Sequence, residues 1–420
     1  LSRVIYILAD LCRYRIDDNW INKPAESIRD ILLSWRPHTM ATLEQRIEVL
    51  EELCSRYPDV GWSFCMYELD PMPGSTSGTY EPRWRDDTSE NDRVLTDKDV
   101  FEFRRKCLDL VLAWPEFDVE KLTGLVDLLR DAPKSDRDRI HAHIDTWLAT
   151  DPPQSEIAEL RERVRMRTMT RRARRRKKTP DGIADGRKLY KRLEPSNLLQ
   201  RHLWLFAKQW VEYSGDELDE EDFDHDARER WISEERTKAL KEVLAALGHD
   251  GIFELCTLGD AANMIGWSLG RHVLSRDQLL AFLSVAVNGH ARFDQSKLDR
   301  CVSGALHQLE DDELEQFLAD ASQSLAEKEG HEARMRLHML APFGPKNWAM
   351  VATLGDRAEQ QYWREVNVGW GRFDDAELNL CVGKLLAVDR PRAAFFVAHF
   401  DYEKLNTGAL MTLLHDMGTK

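Results

Sequence analysis

The chain has 420 residues, of which 42% are hydrophobic and 32% charged, with a net charge of -15 and a sequence pI of about 5.4. That balance excludes a disordered polymer, and the length allows either two or three domains or one extended repeat array. An acidic chain repels nucleic acid on average, so contact with a polyanion requires a local basic site.

Helical periodicity begins early. The first sixteen residues carry Arg3, Asp10 and Arg13, which does not fit a signal peptide. The chain starts at Leu1, from which we expect a piece of a longer protein. Leu43, Ile47, Leu50, Leu53 and Cys54 share one helical face, opened by the capping pair Thr42 and Gln45. A long Pro- and Gly-containing stretch, 70–92, then reads as a surface loop. Its Gly74–Thr79 portion lacks the Lys that a phosphate-binding P-loop needs. Tyr80, Arg83, Trp84 and Arg85 follow, a composition suited to a binding hot spot and equally to a loop packed back on its helices. Phe103, Cys107, Leu110, Val111 and Trp114 form the next stripe, after Thr96. His141, His143 and Asp145 do not make a metal site, because positions i and i+2 on a helix diverge and no further ligand is near.

The middle of the chain is charged. Residues 161–178 hold eleven Lys or Arg against one Glu, with Arg171, Arg172, Arg174, Arg175 and Arg176 at the centre. Residues 216–226 hold eight acids, including Asp219, Glu220, Glu221 and Asp222. The two runs are expected to answer each other or a protein partner, since the basic run lacks interleaved aromatics for stacking bases. Trp204, Phe206 and Trp210 then form an apolar segment expected to anchor this region to the body. The thirteen tryptophans are spread evenly, as expected for packing between successive helices.

An internal repeat is the most informative feature. Arg292-Phe293-Asp294 precedes Leu298, Cys301, Val302, Ala305 and Leu306; 80 positions on, Arg372-Phe373-Asp374 precedes Leu378, Cys381, Val382, Leu385 and Leu386. A fainter copy runs from Phe117-Asp118 through Leu122, Leu125, Val126 and Leu129. Asp caps the helix, Phe and the Leu five positions on form a staple, and the rest make one buried stripe. With helices expected at 276–287, 311–328, 331–341 and 357–366, the interval would hold two helix pairs.

On these residues, the region from 234 onward resembles a HEAT- or TPR-like α-solenoid. The whole chain looks like the helical C-terminal part of large bacterial multidomain proteins, including NTPase sensors of antiviral defence. The resemblance implies an all-α helical-repeat fold: an N-terminal helical region at 1–160, a charged connecting segment at 161–233 and HEAT-like repeats at 234–420. It implies a protein-recognition or scaffolding role, with the chain as the sensor or regulatory arm of a larger protein. The partner would be another protein or other domains of a longer chain.

The seven cysteines are scattered without a CxxC pair and read as reduced thiols, which points to the cytoplasm. No apolar run is long enough to span a membrane. No residue is assigned to catalysis, a cofactor or a metal. The second reading is a nucleic-acid-contacting helical module using 161–178, and the third an enzyme without familiar motifs. Salt dependence separates the first two, and a deep pocket with convergent polar groups would favour the third.

Overall fold

The computed structural model describes residues 1–14, 23–70, 95–129, 132–168, 181–213, 224–288, 291–309, 311–328, 330–369 and 371–419. Among them are twenty-one α-helices and no strand. The chain is all-α, and no described helix is long and apolar enough to cross a membrane.

Helix starts follow local chemistry. In α3 (Leu43–Arg56) the Thr42 hydroxyl accepts from the Gln45 amide, while the Gln45 side chain accepts from the Thr42 amide. Thr96 and Asp99 do the same for α5 (Asp97–Leu112), and Ser275 and Gln278 for α13 (Arg276–Ala286). Proline occupies the first helical position of α2 (Pro24–Leu32), α4 (Pro58–Leu69), α17 (Pro345–Thr353) and α20 (Pro391–Ala398), where its missing N–H costs nothing.

The chain divides into two compact units, Leu1–Glu194 and Pro195–Lys420, so the division falls inside the charged 161–233 stretch. In the first unit, α1 (Ser2–Leu11) packs on α2 and α3, α2 on α4, and α3 on α4 and α5. Further along, α6 (Val119–Leu128) packs on α7 (Lys134–Leu148) and α8 (Gln154–Thr168), and α7 and α8 on α9 (Asp181–Arg192). Contact with the next helix and the next but one is the signature of two stacked helical layers. The core runs through Leu50, Phe64, Phe103, Cys107, Leu122 and Ile140.

The second unit opens with α10 (Leu198–His202) and α11 (His225–Leu258), the latter interrupted at Gly248, whose φ of 65° favours glycine. Then come α12 (Ala262–Ser268), a π-helical turn at Leu269–Val273, α13, and α14 (Gln295–Leu306). α15 (Asp311–Lys328), α16 (Gly330–Leu340), α17 and α18 (Asp356–Glu365) continue the stack, α14 on α16 on α18 and α13 on α15 on α17. α19 (Asp375–Ala387), α20 and α21 (Thr407–Thr419) close it.

The expected helices at 276–287, 311–328, 331–341 and 357–366 are all present, within one residue. One further helix, α17, is not anticipated. It buries only Asn347, Trp348 and Val351, too few for a periodic stripe, and Pro345 opens it. The 80-residue interval therefore holds five helices, α14 to α18, and not two helix pairs. The capped, stapled helix recurs locally: the Leu298, Cys301, Val302 and Leu378, Cys381, Val382 sets are all buried. The caps differ. Asp374 accepts from the Glu377 amide in a full capping box, whereas Asp294 accepts from Ser296. Lys297 stands where Glu377 does and cannot reciprocate; it donates instead to the Thr257 and Gly259 carbonyls.

The aromatic anchor after the charged segment is partial. Phe206 is fully buried and Trp204 packs on Trp231, but Trp210 is 67% exposed. The backbone turns at Gln209, whose carbonyl Arg236 holds at 3.0 Å, and the next side chain faces outward.

Candidate functional site

The residues singled out as partner-binding, Tyr80, Arg83, Trp84 and Arg85, Arg171, Arg172, Arg174, Arg175 and Arg176, and Asp219, Glu220, Glu221 and Asp222, lie outside the described residues. The described start of the basic run is consumed within the chain. Arg163 and Arg167 both bind Asp127, at 2.6 and 2.9 Å. Arg165 grips Glu162 with two bonds of 2.7 and 2.6 Å, and Arg161 lies 4.3 Å over the Tyr190 ring. Burial pushes the Asp127 carboxyl up, but the two arginines outweigh it and hold it below the usual carboxylate value. The acids that hold Arg163, Arg165 and Arg167 here lie on α6 and α8. His143 hydrogen-bonds the Leu112 carbonyl at 2.8 Å, while Asp145 pairs with Arg192 at 3.2 Å.

The described cysteines are all free, and five of the seven are buried. Several of their thiols are held above the ordinary value, which disfavours the thiolate. A contact with Cys65 at 3.9 Å and burial raise the Cys54 thiol, and burial pushes Cys381 up to about 12.

Two other groupings involve functional side chains. In the first, the Ser322 hydroxyl donates to His338 Nε2 at 2.9 Å, and His338 Nδ1 donates to Asn347 Oδ1 at 2.8 Å. Asn347 Nδ2 then donates to the His338 carbonyl at 2.9 Å. That amide bond fixes which way Asn347 faces and so which imidazole nitrogen carries the proton. The order hydroxyl–imidazole–amide is that of a nucleophile relay, but His338 is 0% exposed and reaches no substrate. The set ties α15, α16 and α17 together. Asn347→Ala is expected to cost about 2 kcal/mol, measured by urea unfolding, because it strands two buried polar groups on His338. Burial, with a lesser push from Arg334, lowers the His338 pKa. A lowered imidazole value means the folded chain resists protonation. The stability it supplies is full above the unfolded value of about 6.5 and is lost as pH falls through the folded value. In an NMR titration its ring signal should stay neutral well below that pH.

The second grouping is a groove between α12 and α14. These helices approach unusually closely. A Cβ on Gly266 would stand 1.8 Å from the Cys301 carbonyl oxygen, and one on Gly304 would stand 2.1 Å from that of Asn263. Beside the contact opens a cavity of about 450 Å³, walled by Asn263, Trp267, Arg300, His307 and Gln308. On its far side, Arg271 of the π turn lies 5.5 Å over the Trp267 ring, and His272 packs edge-on at 5.3 Å. Burial, Arg271 and Lys241 together lower the His272 pKa. Asp260 also lines the groove, and Lys297 answers it at 3.3 Å. No short sequence motif marks this site, because Trp267 and Arg300 come from different helices.

Known proteins add little. The chain is similar in structure to the karyopherin Kap121p bound to the SUMO protease Ulp1p, at a TM-score of 0.35 and 9% identity over 99% of this chain and 53% of that one. A multiply substituted Kap121p aligns at a TM-score of 0.29 and 10% identity, over 99% of this chain and 51% of that one. The chain thus spans about half the length of these proteins. No protein-family model matches the sequence, and no curated protein matches it either. At these TM-scores the likeness says nothing of what this chain binds, and the two-layer packing rests on its own helix contacts.

Proposed function

We propose that the chain is a protein-recognition scaffold and serves as the sensor or regulatory arm of a larger protein. One observation carries the reading. At the end of α20, Phe395 and, two residues past the helix, Phe400 stand exposed and joined through His399, with ring centroids 5.9 and 3.9 Å from it. Tyr402, Met411 and Leu414 on the following segments are exposed as well, Phe400 at 68% and Met411 at 64%. Large aromatic and Met side chains left in water at this density mark a surface for another protein. The cytoplasm and a bacterial source belong to the same reading.

The test is photo-crosslinking from position 411 in cells expressing the parent chain and its Phe400→Asp variant. A discrete cross-linked protein that vanishes in the variant is expected. Identical products from both chains would defeat the reading. So would duplex or single-stranded nucleic acid that binds at about 50 mM salt, falls away at about 200 mM, and is lost when Arg171, Arg172, Arg174, Arg175 and Arg176 become Gln.

A further inference from the structure

We propose that the groove between α12 and α14 is a second binding site, which takes an acidic linear peptide. The proposal deepens the protein-recognition reading by naming a partner chemistry, at residues separate from the exposed face on α20 and α21.

Charge is the first argument. The chain carries -15 overall, yet the wall of this groove presents an unanswered cation, Arg300. Among the described residues, Arg300 in the wall and Arg271 over the Trp267 ring have no ion-pair partner, while the one acid in the wall, Asp260, is already held by Lys297. Other arginines of the chain are engaged by carboxylates: Arg105 grips Asp136 at 2.6 and 3.0 Å, and Arg336 grips Asp299 at 2.9 and 2.8 Å. Cations left unanswered in an acidic protein make a local field that draws carboxylates. Arg300 presents the planar fork that binds a carboxylate through two parallel hydrogen bonds.

Shape is the second. The cavity of about 450 Å³ lies in the range of small-ligand sites, and it is open along the helix contact rather than closed over a single small molecule. The Trp267 indole forms an apolar wall for one side chain. Asn263 and Gln308 offer carboxamides, each of which can donate to a peptide carbonyl and accept from a peptide N–H. Carboxylate fork, aromatic wall and paired carboxamides together fit a short extended peptide whose acids flank an apolar residue. The close α12–α14 packing and the π turn hold these groups on rigid elements.

The experiment uses the full chain and three fluorescein-labelled probes: a heptapeptide of Glu and Asp around one Leu, its Lys counterpart, and oligo-dT of matching charge. The acidic peptide should raise anisotropy and quench tryptophan fluorescence, and the Lys peptide should do neither. Arg300→Glu should weaken the acidic peptide by at least about tenfold, as loss of a charge-assisted pair requires. Arg300 is exposed and unpaired, so the variant keeps the parent fold, which circular dichroism verifies. Trp267→Ala should weaken binding as well. No binding of the acidic peptide, or binding unchanged by Arg300→Glu, overturns the proposal. Oligo-dT binding tighter than the peptide and lost in Arg300→Glu also overturns it, in favour of a polyphosphate site. The Phe400→Asp variant separates the two readings: it should bind the acidic peptide as the parent does. Peptide failure with the crosslink from position 411 intact would remove the groove alone.

Discussion

Gly266→Val destabilises the second unit by more than about 3 kcal/mol in urea unfolding, well beyond the effect of an ordinary surface change. Even the first carbon of the new side chain falls 1.8 Å from the Cys301 carbonyl oxygen and 2.7 Å from its carbon. Backbone cannot yield as a flexible side chain can, so α12 and α14 must separate. Opening that contact strips neighbours from Ile265, Cys301 and Ala305, all buried in the same core. It also carries Trp267 away from Arg300, so acidic-peptide affinity in the groove should fall together with stability. Gly383→Ala is the control. Gly383 sits in α19 with nothing within 4 Å of a built Cβ, and the substitution should be neutral or stabilise by up to about 1 kcal/mol, as alanine does in a helix interior.

Much of the fold is legible because helices here are specified locally. Thr42 with Gln45, Thr96, Asp118, Asp294 and Asp374 all cap where their side-chain chemistry places them. The buried stripes after Asp118, Asp294 and Asp374 follow from 3.6-residue periodicity. The α17 helix escapes that logic because nine residues present only one short buried edge. The groove escapes it for a different reason. Gly266 and Gly270 stand four apart, a spacing visible in the chain, but their value lies in meeting Cys301 and Ala305 of another helix. Nothing local in residues 262–273 states which helix will arrive. The same holds for charge. Composition points to an intramolecular role for the basic run, and Arg163 and Arg167 at its described start both bind one carboxylate, Asp127, thirty-six and forty positions upstream. Net charge of segments does not name that partner, because it is the helix stack that brings α6 beside α8.

The two copies of Arg-Phe-Asp give the largest test of how far sequence equivalence becomes energetic equivalence. Phe373→Ala should cost about 3–4 kcal/mol, and Phe293→Ala only about 1–2 kcal/mol, measured as loss of unfolding free energy. The residues match, and both rings sit ahead of a buried Leu, but their surroundings differ. Phe373 is 6% exposed, boxed by Trp348 at 5.2 Å and Phe343 at 6.2 Å, and the tip of its ring meets Gly371. Truncation there leaves a cavity lined by large rings that cannot close in. Phe293 is half-buried, with Phe253 at 5.6 Å on one side and its own neighbour Arg292 at 5.1 Å on the other. Arg292 faces Asp250 and Glu254, each at 3.7 Å, so the guanidinium that covers the ring is itself held in solvent. Removing that ring lets Arg292 and water relax into the space. The asymmetry arises from α17: its Trp348 supplies the wall that Phe373 has and Phe293 lacks. If the two substitutions cost the same within about 0.5 kcal/mol, the aromatic box around Phe373 is not what stabilises the second copy. Trp348→Leu, by thinning that wall, should then bring the cost of Phe373→Ala down toward that of Phe293→Ala, because rings in contact do not contribute additively.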